Sequence, residues 1–208
     1  MQKKAIIIDL DNTIYPVSSI GNILFKTLFE LITESGEYKG DLNAIKTEIM
    51  RRPFQFVADD FSFSDELKSD ALKFFLDLTY NESMEPFEDY KYVSEIPCKK
   101  FLVTTGFTKL QQSKIFHLNI KDDFERIFII DPMQSELTKK EIFREILADN
   151  NFTNQDVLVI GDDLNSEIKA ANDLGIESVL YDRKSEHTGI ENQMTISSFK
   201  DLHLANWH

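Results

Sequence analysis

The sequence predicts an α/β fold: a doubly wound parallel sheet, Rossmann-like, with an all-helical segment inserted after its first strand. Three observations predict it. Short unbroken runs of Ile, Val, Leu and Phe recur along the chain, as in strands buried on both faces. From residue 101 onward these runs alternate with helix-length amphipathic stretches, which implies parallel strands joined by right-handed crossovers. The first run is separated from the second by a long stretch with helical periodicity and no convincing strand.

The strands are expected at Ala5–Ile8, 101–103, Arg126–Ile130, 157–160 and 176–181. Between them, Thr108–Leu118 carries Leu110, Ile115, Phe116 and Leu118 among polar residues. Residues 138–150 open on Thr138, with Glu141 three positions on as a capping box. Residues 166–174 place Ile168, Ala171 and Leu174 on one face, and Gly175 follows as the stop. In the insertion, residues 19–35 repeat Ile23, Leu24, Leu28, Leu31 and Ile32 at helical spacing. Residues 42–52 and 65–80 read as two further helices, with the aromatic-rich stretch from Arg51 to Phe63 as a loop between them. The domain reading is a core of residues 1–16 and 91–208 and a helical module of residues 17–90, hung over one end of the sheet as a lid. Residues 196–202 are expected as a last edge element.

Composition excludes several function classes. With 208 residues the chain can bury a substantial core, and at 42% hydrophobic it is too apolar for disorder. No apolar run approaches the roughly 20 residues that span a bilayer. Only four apolar residues stand between Lys4 and Asp9, which argues against a signal peptide and for a cytoplasmic protein. A single cysteine, Cys98, permits neither an internal disulfide nor a cysteine-based zinc site. The formal net charge of −13 disfavours nucleic-acid polymers and anionic membranes as partners.

Polar residues gather where the strands end. After the first strand comes Asp9-Leu10-Asp11-Asn12-Thr13, after the second Thr104-Thr105-Gly106, and after the fourth Gly161-Asp162-Asp163; the helix after the third opens on Lys139-Lys140. In open α/β sheets ligands bind at the carboxyl ends of the strands. Singly, each motif is an ordinary turn, cap or solvated surface. Together they deliver carboxylates, hydroxyls and an ammonium to one rim. Carboxylates packed this way repel unless a cation or proton intervenes, and an all-oxygen donor set suits Mg²⁺. The hydroxyls and N–H groups of Thr104-Thr105-Gly106 with a lysine suit phosphoryl oxygens. A carboxylate beside the metal can attack phosphorus, and an acid two residues away can protonate the leaving oxygen and then activate water.

These four motifs, in this order, resemble the haloacid dehalogenase superfamily over essentially the whole chain. The resemblance implies Asp9 as nucleophile and Asp11 as general acid/base whose main-chain carbonyl also binds Mg²⁺. It further implies Asp162 as a metal ligand and Asp163 or Glu167 as holders of metal-bound water, with Thr13 among the supporting residues. Thr104 and the N–H of Thr105 would bind phosphoryl oxygens, and Lys139 would neutralise charge shared by phosphate and Asp9, with Lys140 as runner-up. Lys139 is preferred because Ile142 and Phe143 follow at three and four residues. The chain carries Thr105 where the family usually has Asn, and Glu167 where it often has Asp. Asp11 argues against dehalogenation, since the family's dehalogenases lack that acid.

The resemblance implies a helical cap and an Mg²⁺-dependent phosphatase of small phosphomonoesters, monomeric or weakly dimeric. The run through Tyr15-Pro16 and Gly21 resembles the pyrimidine 5′-nucleotidase branch; the same pair reads equally as a rigid exit into the cap. A phosphomutase of the β-phosphoglucomutase type and a non-catalytic phosphate-binding protein are the alternatives. In the cap, Arg51 and Arg52 either touch a second anionic group of the substrate or lie on the surface, and the neighbouring Phe residues either stack on a base or form the cap's own core.

Overall fold

Alternation along β1 (Ala5–Ile8) sends Ile6 and Ile8 into one apolar layer and Ala5 and Ile7 into another, so this strand is buried on both faces. It lies inside a six-stranded parallel sheet of the computed structural model, which describes residues 3–185, 187, 190 and 192–202. The order is β3-β2-β1-β4-β5-β6, with β2 at Lys99–Thr105, β3 at Arg126–Ile130, β4 at Val157–Gly161, β5 at Glu177–Tyr181 and β6 at Met194–Ile196. Because β1 pairs with both β2 and β4, Ile8 stands level with Leu102 and Ile160, and the three strands end at one rim. All five expected strands are present. β3 is an edge strand with Arg126 exposed and Ile127 and Ile129 half-buried, so its apolar run reflects less burial than β1 or β4. The last edge element is β6, followed by a turn of 3₁₀ helix at Phe199–Asp201. Residues 203–208 lie outside the described residues.

Between β1 and β2 the chain forms α1 (Gly21–Leu24), α2 (Lys26–Ser35), α3 (Leu42–Ile49), α4 (Phe54–Asp60), α5 (Asp65–Asp77) and α6 (Lys91–Ser94), with no strand. Four expectations are corrected here. Residues 19–35 are not one helix: the chain breaks at Phe25, turning that ring in against Phe29 and Phe75 and leaving Ile23 65% exposed. α3 stops at Ile49 rather than Arg52, because Pro53 pushes the residue before it out of the helical region. The stretch from Arg51 to Phe63 is not all loop; Pro53 caps α4, which buries Phe54, Val57 and Ala58. α5 ends at Asp77, three residues early, where Leu78 becomes extended.

After β2 the helices match expectation closely: α7 (Thr108–Leu118), α8 (Lys139–Asn150) and α9 (Glu167–Leu174). Thr138 and Glu141 form the expected capping box, and Gly175 closes α9 in the left-handed conformation that glycine adopts without strain. Phe116, counted with the apolar face of α7, is 76% exposed. α8 and α9 cover the Ile7 face of the sheet. On the Ile6 face, α7 and the insertion helices share one contiguous apolar cluster with the strands, and Phe75 of α5 stacks on Phe107 at 4.8 Å between ring centroids. No helix among the described residues is long and apolar enough to cross a membrane.

Where the insertion returns to the sheet, buried Asp89 accepts hydrogen bonds from Tyr181 Oη (3.2 Å), Ser198 Oγ (2.9 Å) and the Phe199 N–H (2.9 Å), and pairs with Arg183 at 3.1 Å. Each buried donor left unpaired costs about 1–3 kcal/mol, so Asp89→Ala is expected to lose about 3 kcal/mol of stability. A urea midpoint that barely moves would show that this carboxylate does not fix the C-terminal strand.

Candidate active site

The expected site residues converge at the rim formed by β1, β2 and β4. The Asp9 N–H donates to the Ile160 carbonyl at 3.1 Å, extending the β1–β4 ladder by one residue and setting Asp9 beside Gly161-Asp162. Asp9 Oδ1 receives Lys139 Nζ at 2.6 Å, and the same ammonium reaches Glu167 Oε2 at 2.7 Å. All three side chains are buried. Lys139 faces the rim because Ile142 and Phe143, on the same side of α8, pack into the core. Lys140 instead pairs with Asp173 at 3.1 Å, away from the rim. Thr13 Oγ1 donates to Asp162 Oδ1 at 3.2 Å, steadying that carboxylate from the loop after β1. In that loop Asn12 takes positive φ, which Asn tolerates, and its side chain accepts the Val17 N–H.

Asp9, Asp162 and Glu167 each offer a carboxylate oxygen within 4.8 Å of the others. One ammonium cannot neutralise three such groups. Burial, reinforced by Glu167 and Asp11, pushes Asp9 up to about 7 against the pull of Lys139. Burial, with Glu167 and Asp9 adding, holds Asp162 well above the usual carboxylate range. Burial opposes charge on Lys139 too, but its two carboxylates outweigh that and raise it. An all-oxygen cluster with excess negative charge fits a small hard cation.

Asp163 and Asp11 stand outside the three-acid cluster. The Asp163 carboxylate accepts the Asn165 N–H at 2.8 Å as a loop cap, while its own N–H donates to Glu167 Oε1 at 2.7 Å; of the two acids, Glu167 is the one in the carboxylate cluster. Glycine is needed beside it, because a Cβ on Gly161 would lie 2.2 Å from Glu167 side-chain atoms. Asp11 directs its carboxylate away from the cluster. It accepts hydrogen bonds from Tyr15 Oη, from Lys114 Nζ at 2.7 Å and from Gln111 Nε2 at 2.8 Å. The metal contact that the resemblance implies for Asp11 is through its main-chain carbonyl, not through this side chain. Burial disfavours charge on Asp11, but Lys114 and these hydrogen bonds outweigh it and hold the carboxyl below its ordinary range.

Thr104 Oγ1 is buried and accepts from Gln111 Nε2 at 2.6 Å, which leaves its own proton free for an anion. Thr105 and Gly106 line the same cavity, about 140 Å³ in volume and open to solvent. Its opposite wall comes from the insertion, including Met50, Arg51, Arg52 and Phe54. Sequence reasoning missed Gln111 and Lys114, and gave Tyr15 no contact with Asp11. The available signal was two polar residues three apart on α7, next to its buried Leu110 and Ile115.

The haloacid dehalogenase-like hydrolase profile matches residues 3–175. The chain belongs to that family. It is 25% identical to the glyceraldehyde 3-phosphate phosphatase of Pyrococcus abyssi over 198 residues, covering 86% of this chain and 81% of that protein. It is also 25% identical to the pyrimidine 5′-nucleotidase PynA of Streptococcus pneumoniae, over 49% of this chain and 44% of that one. Among solved structures it resembles YfnB of Bacillus subtilis, determined with bound magnesium, at a TM-score of 0.68 with 15% identity and 99% of both chains covered. The L-2-haloacid dehalogenase of Xanthobacter autotrophicus superposes with a TM-score of 0.58 at 13% identity over 98% of each chain. Within this family the chain is of the phosphatase type, a hydrolase of phosphoric monoesters.

Two outcomes test the electrostatics. Acids raised in the folded state bind protons there that the unfolded chain has released, so the stability they confer is present near pH 4 and is lost as pH rises through the folded value of about 7. Metal-free protein is therefore expected to melt at falling temperature between pH 5 and 7, and Asp162→Asn to flatten that slope; a flat wild-type profile would contradict the crowding described above. Gly161→Ala is expected to displace Glu167 from Lys139 and lose about 3 kcal/mol, the cost of breaking a buried ion pair. Its melting temperature would fall by about 6–12 °C, on the basis of roughly 2–4 °C per kcal/mol at this chain length.

Proposed function

We propose that the chain hydrolyses a small phosphomonoester in an Mg²⁺-dependent reaction that passes through a phosphate ester of Asp9, with a nucleoside monophosphate as the substrate class. The observation that carries this reading is the division of the two acids into separate environments. Asp9 sits in the carboxylate cluster against Lys139, whereas Asp11, two residues on, is held by Tyr15, Lys114 and Gln111. Two carboxylates in contrasting surroundings are how a site divides nucleophile from acid/base duty.

In the proposed cycle, an Asp9 carboxylate oxygen bonds to phosphorus and the bond from phosphorus to the leaving oxygen breaks. Asp11 passes a proton to that oxygen. Asp11 then takes a proton from water, the water oxygen bonds to phosphorus, and the Asp9–phosphorus linkage breaks to return the carboxylate. Lys139 balances charge on Asp9 throughout, and Thr104 with the Thr105 N–H orients the phosphoryl oxygens. Asp9, Asp162 and the main-chain carbonyl of Asp11 would hold Mg²⁺, with Glu167 or Asp163 reaching its waters. Bound there, the ion supplies positive charge beside the transferring phosphoryl group.

The relatives named for glyceraldehyde 3-phosphate and for pyrimidine nucleotides support a substrate carrying one phosphate on an uncharged leaving group. The start of the insertion, Tyr15-Pro16, supports the nucleotide branch of that choice.

Turnover of uridine 5′-monophosphate and of phenyl phosphate is expected to vanish with a chelator and return with Mg²⁺. Asp9→Asn is expected to lower kcat by about a thousandfold or more, and Asp11→Asn by about a hundred- to ten-thousandfold. Acid-quenched wild type, but not Asp9→Asn, should carry phosphate released by hydroxylamine. Equal rates for wild type and Asp9→Asn would overturn the assignment of the nucleophile.

A further inference from the structure

The insertion side of the cavity is built with its cations already spent. Arg51, Arg52, Lys114 and Lys139 are the cationic side chains lining the cavity among the described residues, and each has a carboxylate partner. On the insertion side Glu48, just behind the wall, pairs with both arginines: its Oε1 lies 3.3 Å from Arg51 Nη1 and its Oε2 lies 2.7 Å from Arg52 Nε. Asp60, at the end of α4, takes Arg52 Nη2 at 2.8 Å. Apart from Gln55, a neutral amide, the remaining lining there is mostly apolar. Phe54 packs on Phe75 at 5.1 Å between centroids, Phe75 stacks on Phe107 at 4.8 Å, and Phe25 meets Phe75 edge-on. The catalytic end carries an excess of carboxylates, so the cavity offers no surplus positive charge to a second anion.

We infer that Glu48 and Asp60 determine specificity: by holding Arg51 and Arg52, they make the insertion side of the cavity take an uncharged leaving group with an apolar face and refuse one bearing a second anionic group. An incoming carboxylate or second phosphate must compete with an acid for an arginine already paired with it, and meets the field of that acid as it does so. Discrimination of this kind rests on a built-in repulsive element rather than on a better contact to the favoured ligand. It also separates hydrolase from mutase. A phosphoryl mutase must hold a bisphosphorylated species by both ends, and the second end has no unpaired cation here. The inference rests on the phosphatase reading above and narrows its substrate class.

Phenyl phosphate and 4-carboxyphenyl phosphate test it, because they differ only in a carboxylate directed away from the phosphate. With Mg²⁺ present, wild type is expected to favour phenyl phosphate by about tenfold or more in kcat/KM, expressed mainly in KM. In Glu48→Gln/Asp60→Asn the preference should shrink by about fivefold or more, while turnover of phenyl phosphate stays within about threefold of wild type. Asp60→Asn alone, at an exposed position, should shrink the preference in the same direction and serves where the double variant fails to fold. Equal use of the two esters by wild type overturns the inference, as does a preference that these variants leave unmoved. If wild type hydrolyses neither ester, the phosphatase reading itself fails, which is a different result from either of those.

Discussion

The site depends on one ammonium among three carboxylates, two of them buried and the third half-buried. Lys139 reaches Asp9 and Glu167 at hydrogen-bond distance, and Asp162 stands close enough to share its field. Bringing such groups out of water is costly, and a chain free to relax would separate them. They stay together because their backbones are not free. Asp9 and Asp162 continue adjacent parallel strands, Glu167 opens α9 directly beyond, and Lys139 opens α8 with its neighbours Ile142 and Phe143 anchored in the core. The apolar layers on both faces of β1 and β4 supply the stability against which this strain is held. Even a methyl group at Gly161 would occupy the space the Glu167 carboxylate needs.

That relation explains why the sheet and the carboxylate cluster were legible in the sequence. Strands buried on both faces must be continuously apolar, so β1, β2 and β4 announce themselves, and a polar residue at the end of such a run has few places to be except the rim. Lys139 could be chosen over Lys140 for the same reason, since the apolar face of α8 fixes which lysine turns inward. The insertion was less legible because its helix limits follow tertiary packing rather than periodicity. Phe25 breaks a regular helical pattern in order to face Phe75, and the seven residues of α4 are too few to display a period. Gln111 and Lys114 escaped notice for another reason. A polar residue on a mostly polar helix carries no mark of burial, and only the position of Asp11 opposite them makes them buried partners.

Asp11 poses a physical problem for the proposed cycle. The three donors around it favour its carboxylate form, the form suited to drawing a proton from water. The earlier step needs the opposite form, with a proton to give to the leaving oxygen. Within the proposed cycle, a change in the surroundings of Asp11 between the two steps would serve both demands. Its partners are placed so that such a change can be linked to the substrate. Tyr15 lies where the chain leaves the sheet for the insertion, and its hydroxyl donates to Asp11. Gln111 also holds the Thr104 hydroxyl, so an anion drawing on Thr104 alters the same hydrogen-bond chain that reaches Asp11. Phe107, immediately before the helix that carries Gln111 and Lys114, stacks on Phe75 of the insertion. In the proposed cycle, occupation of the cavity would act on Asp11 from two sides, through the phosphate clamp and through the aromatic wall, and would tie the acid's protonation state to the presence of the group it is to protonate.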